Sequence, residues 1–285
     1  MKIVRIIGGL GNQMFQYALL IGLQITFGED VYADTSGFKE YNLHNGLEIE
    51  SIFGIKLNVH NNCPILAKKL TLSRYINKYL PFLCRHYQFE YPDFRYIEDM
   101  YQNNVKKYYA GYWHHHKYVE NFRDVLLRIY RFPSFEDKNN KIISEQMGKE
   151  NSVGIHVRRG DYLNEKQYQG ICTIDYYKKA IDIIIRKYGN VSFYVFSNDV
   201  NWCRSNLAEL FQDSKTIYID WNKGKESYRD MQLMTLCRGL IIANSSFSWW
   251  GAFLNNTENH IVIAPKKWKN TDYNLEIQMP EWKLI

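Results

Sequence analysis

The pattern of apolar and polar positions divides the chain into a regular half and an irregular one. From residue 152 onward, short runs rich in β-branched and aromatic side chains alternate with segments of helical period. Residues 153–157, 191–197, 216–220, 240–243 and 260–264 read as strands. Residues 174–188, 199–210, 226–237 and 247–255 read as helices, and Gly189 closes the first of them. Strands alternating with helices predict a parallel sheet joined by right-handed crossovers. The chain opens in the same way: 2–7 reads as a strand ending at Gly8, Gly9 and Gly11, 12–27 as a helix, and 31–34 as a second strand. Residues 41–149 are less regular. They offer helices at 65–80 and 119–131, an aromatic strand-like run at 108–113, and a polar stretch at 133–150 that reads as a hinge. The expected fold class is α/β, with an N-terminal α/β domain over 1–150 and a C-terminal Rossmann-like domain over 151–285. The last residues are free to pack back on the first domain.

Composition narrows the classes. The 285 residues suffice for two domains, and 46% hydrophobic with 23% charged excludes disordered and collagen-like chains. A net charge of +6 suits a phosphate-bearing ligand or an anionic membrane surface but falls short of a nucleic-acid coat. Aromatic residues, at 16%, suit sugar faces as well as a core. Cys63, Cys84, Cys172, Cys203 and Cys237 are odd in number and widely spaced, which reads as reduced thiols in a cytoplasm. The opening Met-Lys-Ile-Val-Arg-Ile-Ile is too short an apolar run for a signal peptide. No run of about 18 apolar residues is present, so any membrane contact is expected to be peripheral, on the inner face of the plasma membrane. Lys68, Lys69, Arg74, Lys78 and Arg85 suit such contact and equally suit a solvated helix face.

Ligands of parallel sheets bind beyond the carboxyl ends of the strands, where loops lead into helix N-termini. Gly8-Gly9-Leu10-Gly11-Asn12-Gln13 has that setting, which suits phosphate. Gly9 and Gly11 fit the dinucleotide fingerprint, but Met14 stands at its third glycine and disfavours a nicotinamide or flavin site. A tight turn capped by Asn12 is the structural alternative. His156-Val157-Arg158-Arg159-Gly160-Asp161-Tyr162 directly follows the first strand of the regular half. Adjacent arginines there repel unless an anion sits between them, and arginine holds phosphate with about 1.5–3 kcal/mol per contact. A salt bridge of Arg158 or Arg159 with Asp161, and a buried core histidine, are the competing readings. Ser197-Asn198-Asp199 ends the next strand and by itself reads as a helix cap. Asn244-Ser245-Ser246-Phe247-Ser248-Trp249-Trp250-Gly251 follows a strand and opens a helix, where hydroxyls and free N–H groups make an anion seat. Two tryptophans beside three serines exceed what capping requires. The chain contains no Asp-x-Asp, the usual metal-diphosphate clamp. His114-His115-His116 is not expected to bind metal, because consecutive side chains diverge.

Taken in order, these segments, extended to Tyr17 and Ala252, closely resemble the α-1,2-fucosyltransferases, and the match runs from residue 1 to about 265. That family moves L-fucose from GDP-β-L-fucose to the 2-hydroxyl of a terminal galactose. Without the membrane anchor of the animal Golgi members, the chain looks like a bacterial one acting on free or lipid-linked oligosaccharide, as in O-antigen or surface-glycan synthesis. The resemblance implies a GT-B-like architecture, two Rossmann-type domains facing across a cleft, with no cofactor and no metal. It implies that Arg158 binds the β-phosphate and helps GDP leave, that His156 lines the nucleoside, and that Ser245, Ser246 and Phe247 contact the diphosphate. Asn198, Asp199 and Asn244 join the donor site, Asp230 matches an acid that reads the guanine N–H edge, and Gly9, Gly11 and Asn12 close over the sugar. Inversion needs a single displacement, and the role of base falls first to Asp161 and second to Glu165. Asp161 equally suits the role of aiming Arg158 or Arg159. The implied partners are GDP-fucose and a galactose-terminated or lipid-linked glycan, with no nucleic acid. A protein O-fucosyltransferase shares the arginine and serine motifs, but its secreted, disulfide-rich acceptors belong to another compartment. A lectin-like module has no use for Arg158 and Arg159 beside the serine turn. Acceptor specificity is expected within 41–131, where no motif is readable.

Overall fold

Parallel strands can be joined only through crossovers of a dozen or more residues, which the alternating helices supply. A computed structural model describes residues 1–41, 43–60 and 70–285, with backbone alone at 70–74. Cys63, Lys68, Lys69 and the start of the helix expected at 65–80 lie outside the described residues. The chain divides into two units, Met1–Arg131 and Phe132–Ile285. Each carries a parallel sheet, as the α/β reading requires.

The first unit contains β1 (Lys2–Arg5), α1 (Leu10–Phe27), β2 (Val31–Asp34), α2 (Ile49–Phe53), α3 (Leu70–Tyr79), β3 (Tyr87–Phe89), β4 (Tyr108–Ala110), α4 (Lys117–Glu120) and α5 (Arg123–Ile129). Its strand order is β2-β1-β4-β3. Helix α1 buries Leu10, Met14, Phe15, Ala18, Leu19 and Leu23, and ends at Gly28, whose left-handed φ of +60° suits a residue without Cβ. The aromatic run expected over 108–113 pairs only as far as Ala110.

The second unit contains α6 (Lys138–Lys149), β5 (Ser152–Val157), α7 (Ile174–Tyr188), β6 (Ser192–Ser197), α8 (Val200–Asn206), β7 (Thr216–Ile219), α9 (Tyr228–Met234), β8 (Gly239–Ile241), α10 (Ser246–Phe253), β9 (Ile261–Ala264) and β10 (Lys283–Leu284). The order is β10-β9-β8-β5-β6-β7. Every residue of β5 is buried, as befits a parallel strand covered on both faces. Thr173 caps α7 by accepting the Tyr176 N–H, and Tyr177, Ala180, Ile181 and Ile184 recur at helical spacing against Val153, Ile155 and Val157. Each buried aliphatic side chain of that face contributes about 1.5–3 kcal/mol. Gly154 leaves the space this packing needs: a Cβ would sit 2.8 Å from Leu240 Cδ2 and 3.0 Å from Cys237 Sγ. Trp249 and Trp250, which looked surplus to capping, are fully buried core residues. Trp249 stacks on Phe253, and its Nε1 donates to the Ile277 carbonyl at 2.7 Å.

Residues 133–150, expected as a hinge, are instead built into the second unit, and the division falls after Arg131. Asp137 caps α6 by accepting the Asn140 N–H at 2.8 Å. Arg229, buried on α9, donates from Nη1 to the Pro133 and Ser134 carbonyls, both at 3.1 Å, and to Gln232 Oε1 at 2.8 Å. Helix α6 reads as a linker because it buries only Asn140 and Met147. Among the described residues no helix is long and apolar enough to cross a membrane.

Candidate active site

In the second unit the chain runs outward from β5 to β6 and β7, then returns to place β8 on the other side of β5. Loops leaving β5 and β8 therefore diverge and open a crevice at the carboxyl edge of the sheet. The loop after β5 carries the twin arginines, and their roles separate. Arg159 donates from Nε to Asp199 Oδ2 at 3.2 Å and lies 3.9 Å over the Trp202 ring. Its backbone N–H donates to Asn198 Oδ1 at 3.0 Å. Asp199 Oδ1 meanwhile caps α8 by accepting the Trp202 N–H at 3.1 Å. Asn198 and Asp199 thus hold Arg159 and the helix start together. A Cβ on Gly160 would fall 2.2 Å from Asn198 Nδ2, so the loop can press this close only with glycine there. Arg158 is held differently: its Nη2 contacts both Asp161 oxygens, at 2.9 and 3.0 Å, at the rim of the crevice.

His156, buried at the end of β5, lies with its ring 5.8 Å from that of Phe247 at the start of α10. Burial, and behind it the Arg158 charge, push the imidazole down to about 3, so it is neutral. Among the described residues its Nδ1 has no hydrogen-bond partner. Across the crevice Ser245 caps α10, its Oγ accepting the Phe247 N–H at 3.3 Å. Ser248 is fully buried and bonds back to the Ala243 and Ser245 carbonyls. Ser246 keeps partial exposure at the helix start. Asn244 is buried, and its polar groups knit loops: the carbonyl accepts from Tyr162 Oη at 3.0 Å, Nδ2 donates to the Trp268 carbonyl at 3.1 Å, and Oδ1 receives the Cys172 thiol. His156, Arg158, Asp161, Asn244, Ser245, Ser246 and Phe247 are therefore gathered at one place. Glu165, exposed at the end of the 3-10 turn Gly160–Asn164, makes a 3.5 Å contact with Gln167.

Asp230, at the start of α9, belongs to a second polar cluster of this unit. Its Oδ1 accepts from Asn222 Nδ2 at 2.8 Å, and Asn140 Nδ2 donates to Asn222 Oδ1 at 2.7 Å. Burial pushes the Asp230 carboxyl up to about 7 against the opposing Asn222 bond.

In the first unit, the turn after β1 is capped by Gly9 rather than Asn12, whose side chain is engaged elsewhere. Asn12 Oδ1 meets His114 Nε2 at 3.0 Å, and Gly11 is buried in the first turn of α1. Gly8, at φ +96°, leaves no room for a Cβ, which would lie 2.9 Å from Asn12 Nδ2. His115 and His116 do not diverge as expected; their rings stack at 4.9 Å, because the chain enters α4 there rather than continuing extended. They bond separately, His115 Nδ1 accepting the Lys117 N–H and His116 Nδ1 meeting Glu120.

Several residues that build these turns carry no local signal. Gln13 Nε2 donates to the Gly8 and Gly46 carbonyls, and Gln16 links the Ile7 N–H to the Gly111 carbonyl. Tyr162 and Asn222 act across long sequence separations, on Asn244 and Asn140. Only the run Gly-Asn-Gln-x-x-Gln, with its glutamines on an otherwise apolar helix, pointed to part of this.

A parallel sheet with a cationic loop and a hydroxyl-capped helix at its reversal point is suited to holding an anionic group. The chain matches the model of glycosyl transferase family 11 over residues 1–285 and belongs to that family, as the motifs imply. Relatives include the α-1,2-colitosyltransferase of Escherichia coli, 33% identical over 93% of this chain and 91% of that protein. The O-antigen biosynthesis glycosyltransferase WbnK of Escherichia coli is 31% identical over 96% and 97%. Galactoside α-(1,2)-fucosyltransferase 2 of Mus musculus is 27% identical over 87% of this chain and 66% of its own length. Among solved structures, the fucosyltransferase NodZ from Bradyrhizobium has the same fold, with a TM-score of 0.52 at 14% identity over 88% of this chain and 91% of that one.

Proposed function

We propose that this glycosyltransferase moves L-fucose from GDP-β-L-fucose to the 2-hydroxyl of a terminal β-galactoside, making an α-1,2 linkage on an O-antigen or other surface glycan. The acceptor is a free or lipid-linked oligosaccharide, met peripherally at the inner face of the plasma membrane. The observation that carries the reading is the meeting of the β5 loop that carries Arg158 with the Ser245-capped start of α10, made by the Tyr162 bond to the Asn244 carbonyl and the His156–Phe247 ring pair. The galactose oxygen attacks the anomeric carbon from the face opposite the diphosphate. The C–O bond to the β-phosphate breaks, and GDP departs with the electron pair. Arg158 and the N–H groups opening α10 neutralise the charge that develops on that oxygen, with no divalent cation taking part. Asp161 has both oxygens on Arg158, which suits aiming the guanidinium rather than taking the acceptor proton. Glu165 is then the remaining carboxylate of the loop for that proton. Asp230 reads the guanine N–H edge, and neutral His156 lines the nucleoside.

A second reading, with the same machinery, takes a colitosyl donor; the identity to an α-1,2-colitosyltransferase favours it. Purified protein is incubated with GDP-fucose or GDP-colitose, with lactose or Galβ1-3GalNAc, and with EDTA. An α-1,2-fucosylated product formed in EDTA supports the proposal. Product from GDP-colitose alone replaces the donor, and a requirement for added metal overturns the cation-free step. Nucleotide binding without product on a broad acceptor panel makes the protein a binding module.

A further inference from the structure

The turn that follows β4 is fixed more firmly than a surface connection requires. Glu90 is buried and commits both carboxylate oxygens to it, Oε2 accepting the Tyr112 N–H and Oε1 the His114 N–H, each at 2.9 Å. Gln16 Nε2 donates to the Gly111 carbonyl at 2.9 Å. A Cβ on Gly111 would fall 2.3 Å from Glu90 Cβ, so the backbone lies directly on that side chain. Between them Trp113, fully buried, holds φ at +62°, a left-handed conformation that strains a bulky residue. Such strain persists where the surroundings over-determine it, and it gathers at binding and active sites.

What the strained turn presents is a ring. Burying Trp113 turns its neighbour Tyr112 outward, where it is 39% exposed. The inner face of that ring is stacked on His114, with centroids 5.4 Å apart and planes 18° from parallel. His114 is in turn wedged edge-on by Phe15 and Phe94 and tied through Nε2 to Asn12. An exposed aromatic side chain on the surface of a soluble protein normally keeps its rotamer freedom; this one is backed by a buried column. The position matters as well. In the first sheet β1 continues to β2 on one side and β4 lies on the other, so the loops after β1 and β4 leave the carboxyl edge where the strand order reverses. One of those loops holds Gly8 to Asn12, and the other holds Tyr112.

From this geometry we infer that Tyr112 is a stacking platform for a pyranose ring, taking the apolar C–H face of the acceptor galactoside beside the Asn12–His114 pair. Galactose suits it: its axial 4-hydroxyl leaves the hydrogens of C3, C4 and C5 on one face, an apolar patch that matches an aromatic surface. The inference rests on the galactoside acceptor proposed above. It gives the acceptor a specific contact within the region whose sequence offers no motif.

The test uses the full chain with Tyr112→Ala and Tyr112→Phe, GDP-fucose as donor and lactose as acceptor. Tyr112→Ala should raise the KM for lactose about tenfold while the KM for GDP-fucose holds, and Tyr112→Phe should stay within about twofold because the ring is what binds. If Tyr112→Ala does not fold, Tyr112→Leu, which keeps bulk without a ring, should show the same rise. An unchanged lactose KM in the ring-less variant overturns the inference, as does a rise confined to the KM for GDP-fucose. Should the wild type transfer to neither lactose nor Galβ1-3GalNAc, the functional reading falls, and saturation-transfer NMR with lactose alone decides the platform. Loss of the lactose signal on removing the ring upholds it; no wild-type signal, or an unchanged one, overturns it.

Discussion

Where β5 gives way to its loop, the chain sets Arg158 on Asp161 and Arg159 on Asp199, in the unit that also carries the Ser245-capped α10; where β1 does so, it sets glycines, Asn12 and the imidazole of His114. Both loops occupy the same topological place, the carboxyl edge beside a reversal in strand order. Their chemistry differs in charge. The second-unit edge holds two guanidiniums, each aimed by a carboxylate, and so it matches an anion. The first-unit edge is built chiefly of amides, glycine backbone and stacked rings, with the Glu90 carboxylate committed to backbone N–H groups and the Arg5 charge felt at Tyr112, and it matches a ligand with hydroxyls and an apolar face. The fold supplies the location twice, and the side chains decide what each location can hold.

The largest effect should come from removing the charge that defines one side of this contrast. Arg158→Ala is expected to lower kcat by about a hundred- to a thousandfold with acceptor binding unchanged, measured by fucosyl transfer from GDP-fucose and by lactose titration. A variant that kept wild-type turnover, or lost lactose binding instead, would erase the division of labour. On the other side, Gly8→Ala must adopt φ +96° and meet Asn12 Nδ2 at 2.9 Å. It should cost about 1–3 kcal/mol in urea denaturation, whereas Gly148→Ala, in open space on α6, should cost nothing.

Asp230 offers a finer cut. Asp230→Asn should reduce the preference for GDP over ADP about tenfold in competition binding. The wild-type preference should weaken as pH falls below about 7, where the carboxyl takes a proton and stops accepting the guanine N–H groups. Stability should move the other way. Folding raises this pKa from 3.8 to about 7, so the native state binds the proton more tightly and loses stability as pH climbs through that window. Asp230→Asn should therefore melt a few degrees above the wild type at pH 8 and level with it at pH 4. His156 has the opposite sign: its pKa falls on folding from 6.5 to about 3, so its contribution is complete above 6.5 and is lost on acidification toward 3. The smallest effect is ionic. Raising salt from about 0.05 to 0.5 M should raise the KM for GDP-fucose by about two- to threefold and leave that for lactose in place, because only the donor carries charge for the guanidiniums to meet.

Much of the second unit is legible in the sequence because each element announces itself. Thr173, Asp199 and Ser245 cap helices, Gly189 ends one, and the apolar period of α7 holds over its whole length. Arg158 and the serine turn are legible for the same reason, since unusual residue types stand where a strand ends. What the sequence hides are elements with little burial and residues whose partners are distant. Helix α6 buries too little to show a period, and β3 and β10 have three and two residues. Tyr162 and Asn222 read as ordinary polar positions until folding brings Asn244 and Asn140 to them. Trp249 and Trp250 misdirect, because a core residue of α10 directly beside a polar turn resembles part of the turn.

The grip of Arg229 on Pro133 and Ser134 sets how this protein can be dissected. A fragment cut at residue 151 would strip away α6 and both carbonyls, leaving the buried Arg229 guanidinium only Gln232 and Glu226 as hydrogen-bond partners among the described residues, at a cost of about 1–3 kcal/mol. One that begins at Phe132 keeps the clasp intact. Severing the polypeptide a single helix too late would weaken the fragment, and its failure would say nothing about what the site binds.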